Sequence, residues 1–115
     1  MTNITADNLK EMQDRGEDFT LINVLSEQDF DKSHIPDSIN IPVSSPDFEE
    51  QVERHAESKS ADVVVYCASI TCDASKKAAR RLEAAGFTNV FTYEGGTKGW
   101  QEAGLPLEGS AAMPV

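Results

Sequence analysis

Asp62-Val63-Val64-Val65-Tyr66-Cys67-Ala68-Ser69-Ile70-Thr71-Cys72-Asp73-Ala74-Ser75-Lys76-Lys77-Ala78-Ala79-Arg80-Arg81-Leu82-Glu83-Ala84-Ala85-Gly86 is the stretch whose reading decides the fold. Its opening is a β-branched run without alternation, the pattern of a parallel strand covered on both faces. After the loop the period changes: Ala74, Ala78, Ala79, Leu82 and Ala85 form one apolar stripe, and Lys76, Lys77, Arg80 and Arg81 are expected to face water. Gly86 supplies the C-terminal cap. A buried strand therefore passes through a cysteine-bearing loop into an amphipathic helix.

Upstream, Thr5 is placed to cap a helix from Ala6 to Arg15, with Asp7 in its first turn, and Gly16 ends it. Phe19 to Leu25 reads as a strand. The polar stretch from Ser26 to Phe30 reads as a short helix closed by His34-Ile35-Pro36. Pro36 and Pro42 leave room for only a brief extended segment around Ile39. From Asp47 to Ala56, Phe48, Val52 and either His55 or Ala56 recur at helical spacing, with Glu49, Glu50 and Glu53 on the wet face. Downstream, Asn89 to Tyr93 is a strand, Gly95-Gly96 turns the chain, and Thr97 to Ala103 forms a last helix that buries Trp100. The tail beyond Gly104 is expected to be loose.

Helices alternating with short apolar strands predict an α/β fold, an open parallel sheet with helices on both faces. Ligands of such sheets gather beyond the carboxyl ends of the strands, where Cys67 lies. The 115 residues suit one domain spanning 1–115, with no repeat and no linker.

Twenty acidic against ten basic residues give a formal charge of -10. Nucleic acid and anionic membrane both need a cationic face that displaces counterions, so neither is an expected partner. No apolar stretch approaches the roughly 20 residues of a membrane span, and Met1 to Arg15 lacks the basic start and apolar run of a signal peptide. A cytoplasmic location is the expectation.

The chain has two cysteines, Cys67 and Cys72, five positions apart in one short segment. They lie too close together to staple distant parts of a fold, and the clustering suggests chemistry rather than scaffolding. The structural alternative is two small loop residues.

Three blocks carry a resemblance: Leu21-Ile22-Asn23-Val24 with His34-Ile35-Pro36-Asp37-Ser38-Ile39-Asn40-Ile41-Pro42; Val65-Tyr66-Cys67; and Ala84-Ala85-Gly86-Phe87-Thr88-Asn89-Val90 running into Gly95-Gly96 and Trp100. Their order and spacing resemble the rhodanese homology domain over roughly Thr5 to Pro106. The resemblance implies a five-stranded parallel sheet flanked by helices. It also implies that Cys67 takes a sulfane sulfur from a donor, holds it as a persulfide and passes it to an acceptor, with no cofactor and no metal. The partners would be a small-molecule or protein persulfide donor and a thiol acceptor. Physical reasoning agrees, because a loop curling into a helix N-terminus directs backbone N–H groups inward and should lower the thiol pKa. On this reading Cys67 and Cys72 are the candidate catalytic residues, and Ala68, Ser69, Ile70, Thr71 and Asp73 line the substrate.

The chain departs from that family in its loop. Single-domain rhodaneses typically have an arginine five positions after the cysteine. Cys72 stands there instead, Asp73 follows, and the distance to Ser75 suggests a loop about two residues longer than usual. Asn23 and Leu25 replace the aspartate and arginine after the first strand. Thiosulfate is a dianion that wants a guanidinium, whose charge-assisted hydrogen bonds are worth roughly 1.5–3 kcal/mol each. Asp73 opposes it, and only Lys76 or Lys77 could compensate, so a persulfide or polysulfide donor is favoured.

A Cys-x5-Arg phosphatase is excluded because Asp73 occupies the arginine position. Two alternatives stand beside sulfur transfer: a thiol-disulfide protein using Cys67 and Cys72, and a non-catalytic rhodanese-like binding module. Zinc held by both cysteines with His34 and His55 is disfavoured by the cysteine spacing and by histidines from unrelated segments. Trp100 and Phe87 read as core, and Asn23 as a structural hydrogen-bonding residue.

Overall fold

A computed structural model describes residues 1–69 and 71–110. Its elements are β1 (Thr2–Asn3), α1 (Ala6–Asp14), β2 (Thr20–Asn23), α2 (Glu27–Lys32), β3 (Ile39–Asn40), α3 (Phe48–Ala56), β4 (Val63–Tyr66), α4 (Ala74–Ala84), β5 (Val90–Tyr93) and α5 (Gly96–Glu102). The strands form one five-stranded sheet in the order β1-β5-β4-β2-β3. Every pairing is parallel. The predicted α/β sheet is thus observed, with β4 at its centre.

Period-two alternation divides the β4 side chains between two cores. Val63, Val65 and Cys67 join Phe48 and Val52 of α3 and Ala78, Ala79 and Leu82 of α4. Val64 and Tyr66 join Leu9 of α1 and Trp100 of α5 on the other face. All four β4 residues are buried, which explains why the run shows no polar alternation in sequence.

Capping sets the helix ends. Thr5 and Asn8 close a capping box at α1, through Asn8 N–H to Thr5 Oγ1 at 3.1 Å and Thr5 N–H to Asn8 Oδ1 at 3.2 Å. Ser26 caps α2 through the Asp29 N–H at 3.2 Å. At the end of α4, Gly86 adopts φ +101° and Phe87 N–H returns to the Leu82 carbonyl at 3.0 Å, the left-handed stop anticipated at that glycine.

Three details differ from the sequence-based expectations. Strand β1 is two exposed residues, Thr2 and Asn3, which carry no apolar signal and are held by pairing with Phe91 and Thr92. The segment after Gly104 is docked rather than loose as far as Ser110. Leu105 and Leu107 pack on the α1/α5 core, Trp100 Nε1 donates to the Pro106 carbonyl at 2.8 Å, and His34 and Glu108 exchange backbone hydrogen bonds at 2.8 and 2.9 Å. Arg81 does not simply face water. Its guanidinium reaches both carboxylate oxygens of Glu49, at 2.8 and 2.6 Å, bonds the Val43 carbonyl, and lies 5.2 Å from the Phe48 ring centroid. The carboxyl of Glu49 is held below its ordinary pKa by that hydrogen-bonded guanidinium, against a smaller opposing effect of burial. Among the described residues no helix is long and apolar enough to cross a membrane.

Candidate functional site

Cys67 follows the last residue of β4 and is completely buried. Its thiol donates toward the Cys72 carbonyl at 3.4 Å, with the Ser69 carbonyl at 4.0 Å and Ser75 Oγ at 3.7 Å. Ser75, in the first turn of α4, is itself buried, and its Oγ accepts from the Cys67 thiol. Two carbonyls and one helix-terminal serine therefore surround the sulfur.

This environment reverses the expected thiol acidity. Burial pushes the Cys67 pKa up, and the neighbouring Cys72 side chain pushes the same way; the Ser75 N–H and hydroxyl pull it down by less. The anticipated inward-facing amides are represented by Ser75, while Ser69 and Cys72 present carbonyl oxygens, which accept from a thiol and repel a thiolate. In this conformation the loop favours the protonated sulfur.

The start of α5 holds the base of the loop. Thr97 N–H donates to the Cys67 carbonyl at 3.1 Å and Lys98 N–H to the Ala68 carbonyl at 2.9 Å. Thr97 Oγ1 adds a bond to the same Ala68 carbonyl at 3.2 Å. Gly96 makes this approach possible: it sits at φ +64°, and a Cβ there would lie 2.4 Å from the Cys67 oxygen and 2.5 Å from the Ala68 carbonyl carbon. Sequence reasoning read Gly95-Gly96 only as a turn. The second glycine, ahead of a short helix, was the available signal for a close backbone contact.

The other predicted site residues divide by exposure. Ala68, Thr71 and Asp73 are exposed, and Ser69 is half-buried with its hydroxyl 2.9 Å from that of Thr71. Cys72 is half-buried, packs against the apolar cluster that contains Cys67, and donates its N–H to the Ser69 carbonyl at 3.0 Å. Ile70 lies outside the described residues. Leu25 and Val43 pack against the same apolar cluster that contains Cys67. Lys76 is committed to Glu94 at 3.1 Å, and Lys77 is exposed on α4.

Residues named for other roles fall elsewhere. His34 stacks on Phe30, with ring centroids 3.9 Å apart, and its Nδ1 lies 2.8 Å from the Phe30 carbonyl oxygen. His55 is exposed in the last turn of α3, so neither histidine is brought to the cysteines. Asn23 is fully buried, and its Oδ1 accepts from Leu25 N–H at 2.9 Å, while its Nδ2 has no partner among the described residues. The Tyr66 hydroxyl accepts from Ile35 N–H at 3.0 Å and meets Ser38 Oγ at 2.8 Å, tying β4 to the segment before β3.

The family model for the Rhodanese-like domain matches residues 5–103. The chain belongs to the rhodanese-like domain family. It is 33% identical over 111 residues to the HTH-type transcriptional regulator Rv0324 of Mycobacterium tuberculosis, an alignment covering 96% of this chain and 46% of the regulator. The chain thus spans about half the length of that relative. It is 34% identical over 96 residues to Thiosulfate sulfurtransferase 16, chloroplastic, of Arabidopsis thaliana, covering 76% of this chain and 78% of the plant protein. Among solved structures, the solution structure of the rhodanese-like domain of the Anabaena protein Alr3790 superposes with a TM-score of 0.84 at 27% identity, covering 100% of this chain and 84% of that domain.

Proposed function

We propose that this rhodanese-like domain is a sulfurtransferase or persulfide carrier that loads a sulfane sulfur on Cys67 and delivers it to a thiol acceptor. The observation that carries this reading is the position of Cys67, at the carboxyl end of the central strand and against the first turn of α4, where Ser75 Oγ lies 3.7 Å from the sulfur. Loading begins when the Cys67 thiolate attacks the outer sulfur of a persulfide donor. The donor's S–S bond breaks, the donor thiolate leaves with the electron pair, and it takes up the proton lost by Cys67. Delivery repeats the exchange: an acceptor thiolate attacks the outer sulfur and Cys67 leaves. Because Cys67 is fully buried, the loop opens before loading, and the Ser69 and Cys72 carbonyls turn from the sulfur as its negative charge appears.

The donor is a small-molecule or protein persulfide rather than thiosulfate. Asp73 is exposed at the loop, Lys76 is paired with Glu94, and Cys72 stands five positions after Cys67, so that position supplies no guanidinium to a dianion. Turnover of a cysteine-persulfide donor with an acceptor thiol should be supported by the native chain and abolished by Cys67→Ser. A second reading, a non-catalytic binding module, draws support from the burial and raised pKa of Cys67. Equal, background-level transfer by the native chain and Cys67→Ser would select that reading.

A further inference from the structure

Cys72 is a nucleophilic side chain that one-way sulfur delivery does not use, and it is positioned on the loaded sulfur's own loop. Its carbonyl is 3.4 Å from Cys67 Sγ, and its half-buried side chain packs into the apolar cluster that contains Cys67. We propose that Cys72 is a second catalytic residue: it attacks the inner sulfur of the Cys67 persulfide, expelling hydrosulfide and closing a Cys67–Cys72 disulfide. The inference rests on the persulfide reading above and adds an internal acceptor to it.

The step balances without an outside oxidant. The Cys72 thiolate forms a bond to Cys67 Sγ, the bond between Sγ and the added sulfur breaks, and its electron pair leaves on that sulfur as the hydrosulfide anion. The proton lost by Cys72 converts that anion to hydrogen sulfide. The two protein sulfurs are oxidised to a disulfide while the sulfane sulfur is reduced to sulfide. A dithiol reductant then resets the pair by exchange, becoming a disulfide itself.

Two features favour the inner sulfur over the outer one. Cys67 Sγ is closed in by Ser69, Cys72 and Ser75, so an added sulfur atom has to project outward, away from the packed side. The two attacks also differ in leaving group, which is hydrosulfide from the inner sulfur and the Cys67 alkyl thiolate from the outer one. Hydrogen sulfide is a stronger acid than an alkyl thiol, and the sulfur of lower pKa leaves faster. A cysteine pair at this separation along a loop can reach the roughly 4.4–6.8 Å between Cα atoms that a disulfide needs.

The test is a single loading of the reduced full chain with sodium polysulfide, removal of excess reagent, and measurement of released sulfide and intact mass without any acceptor thiol. The native chain should release one sulfide per chain and end two hydrogens lighter than the reduced protein, with Cys67 and Cys72 joined in peptide maps. Cys72→Ser and Cys72→Ala should keep one added sulfur on Cys67, with a persulfide lifetime about ten-fold longer or more, because an intramolecular thiol acts at a high effective concentration. Equal lifetimes in the native chain and both variants, or a native chain that holds the sulfur on Cys72, would overturn the proposal while leaving sulfur loading intact. Failure of all three proteins to load sulfur would instead remove the persulfide reading and this step with it.

Discussion

At Cys67, burial outweighs the helix terminus. The first turn of α4 offers one N–H and one hydroxyl to the sulfur, too little to offset complete removal from water and the carbonyls of Ser69 and Cys72. In Cys72→Ser, where only one thiol remains, alkylation of Cys67 by iodoacetamide should therefore rise with pH through a midpoint above the ordinary thiol value of about 8.5. A midpoint below that value would show that the open, amide-lined loop dominates in solution. The same shift links to stability: the folded state holds the thiol proton more tightly, so this contribution is complete below the unfolded-state pKa and is lost as pH rises through the folded one. Tyr93 behaves alike at higher pH. Burial, with a smaller effect of the Glu102 charge, pushes its hydroxyl up to about 12, and that hydroxyl has no partner among the described residues. Tyr93→Phe removes a buried polar group without a hydrogen bond and should stabilise the chain by about 1 kcal/mol in urea unfolding at neutral pH. A loss of stability would mean that the hydroxyl is satisfied.

At the scale of elements, the site is as much a product of α5 as of β4 and α4. Gly96→Ala places a Cβ against the Cys67 and Ala68 backbone at a positive φ, so backbone rather than a flexible side chain has to shift. Thermal or urea unfolding should show a cost of about 2–3 kcal/mol, and sulfur loading should fall with the displaced loop. Unchanged stability and loading would show that α5 does not hold the loop. This contact marks a boundary of what could be read in the sequence. The β4 run and the α4 stripe were legible because each has its own period, and Gly86 declared the end of α4. Strand β1 was not, because Thr2 and Asn3 gain their conformation from β5 alone. The loose tail was misjudged for a related reason: Leu105 and Leu107 are too few to show a period, and only the folded core reveals where they pack. The placement of Cys67 at the end of β4 was legible, whereas its protonation state was not, since that depends on which carbonyls the loop turns toward the sulfur.

For the whole molecule, the formal charge of -10 sets which donors approach easily. Thiosulfate meets like charge at long range and Asp73 at the loop, with Lys76 already paired to Glu94. Its kcat/KM should stay below about 10⁴ M⁻¹s⁻¹, the lower end of ordinary enzymes. It should also rise with added salt, because screening weakens the repulsion. A fall with salt would point to a cationic anion site near Cys67. The central claim is that Cys67 holds a transferable sulfur, and cyanide-releasable sulfur on the Cys72→Ser chain after polysulfide loading tests it most directly, since no internal thiol competes. The account predicts about one equivalent per chain, mapped to Cys67, and none when Cys67→Ser is combined with Cys72→Ser; the absence of releasable sulfur, or equal amounts in both, would contradict it.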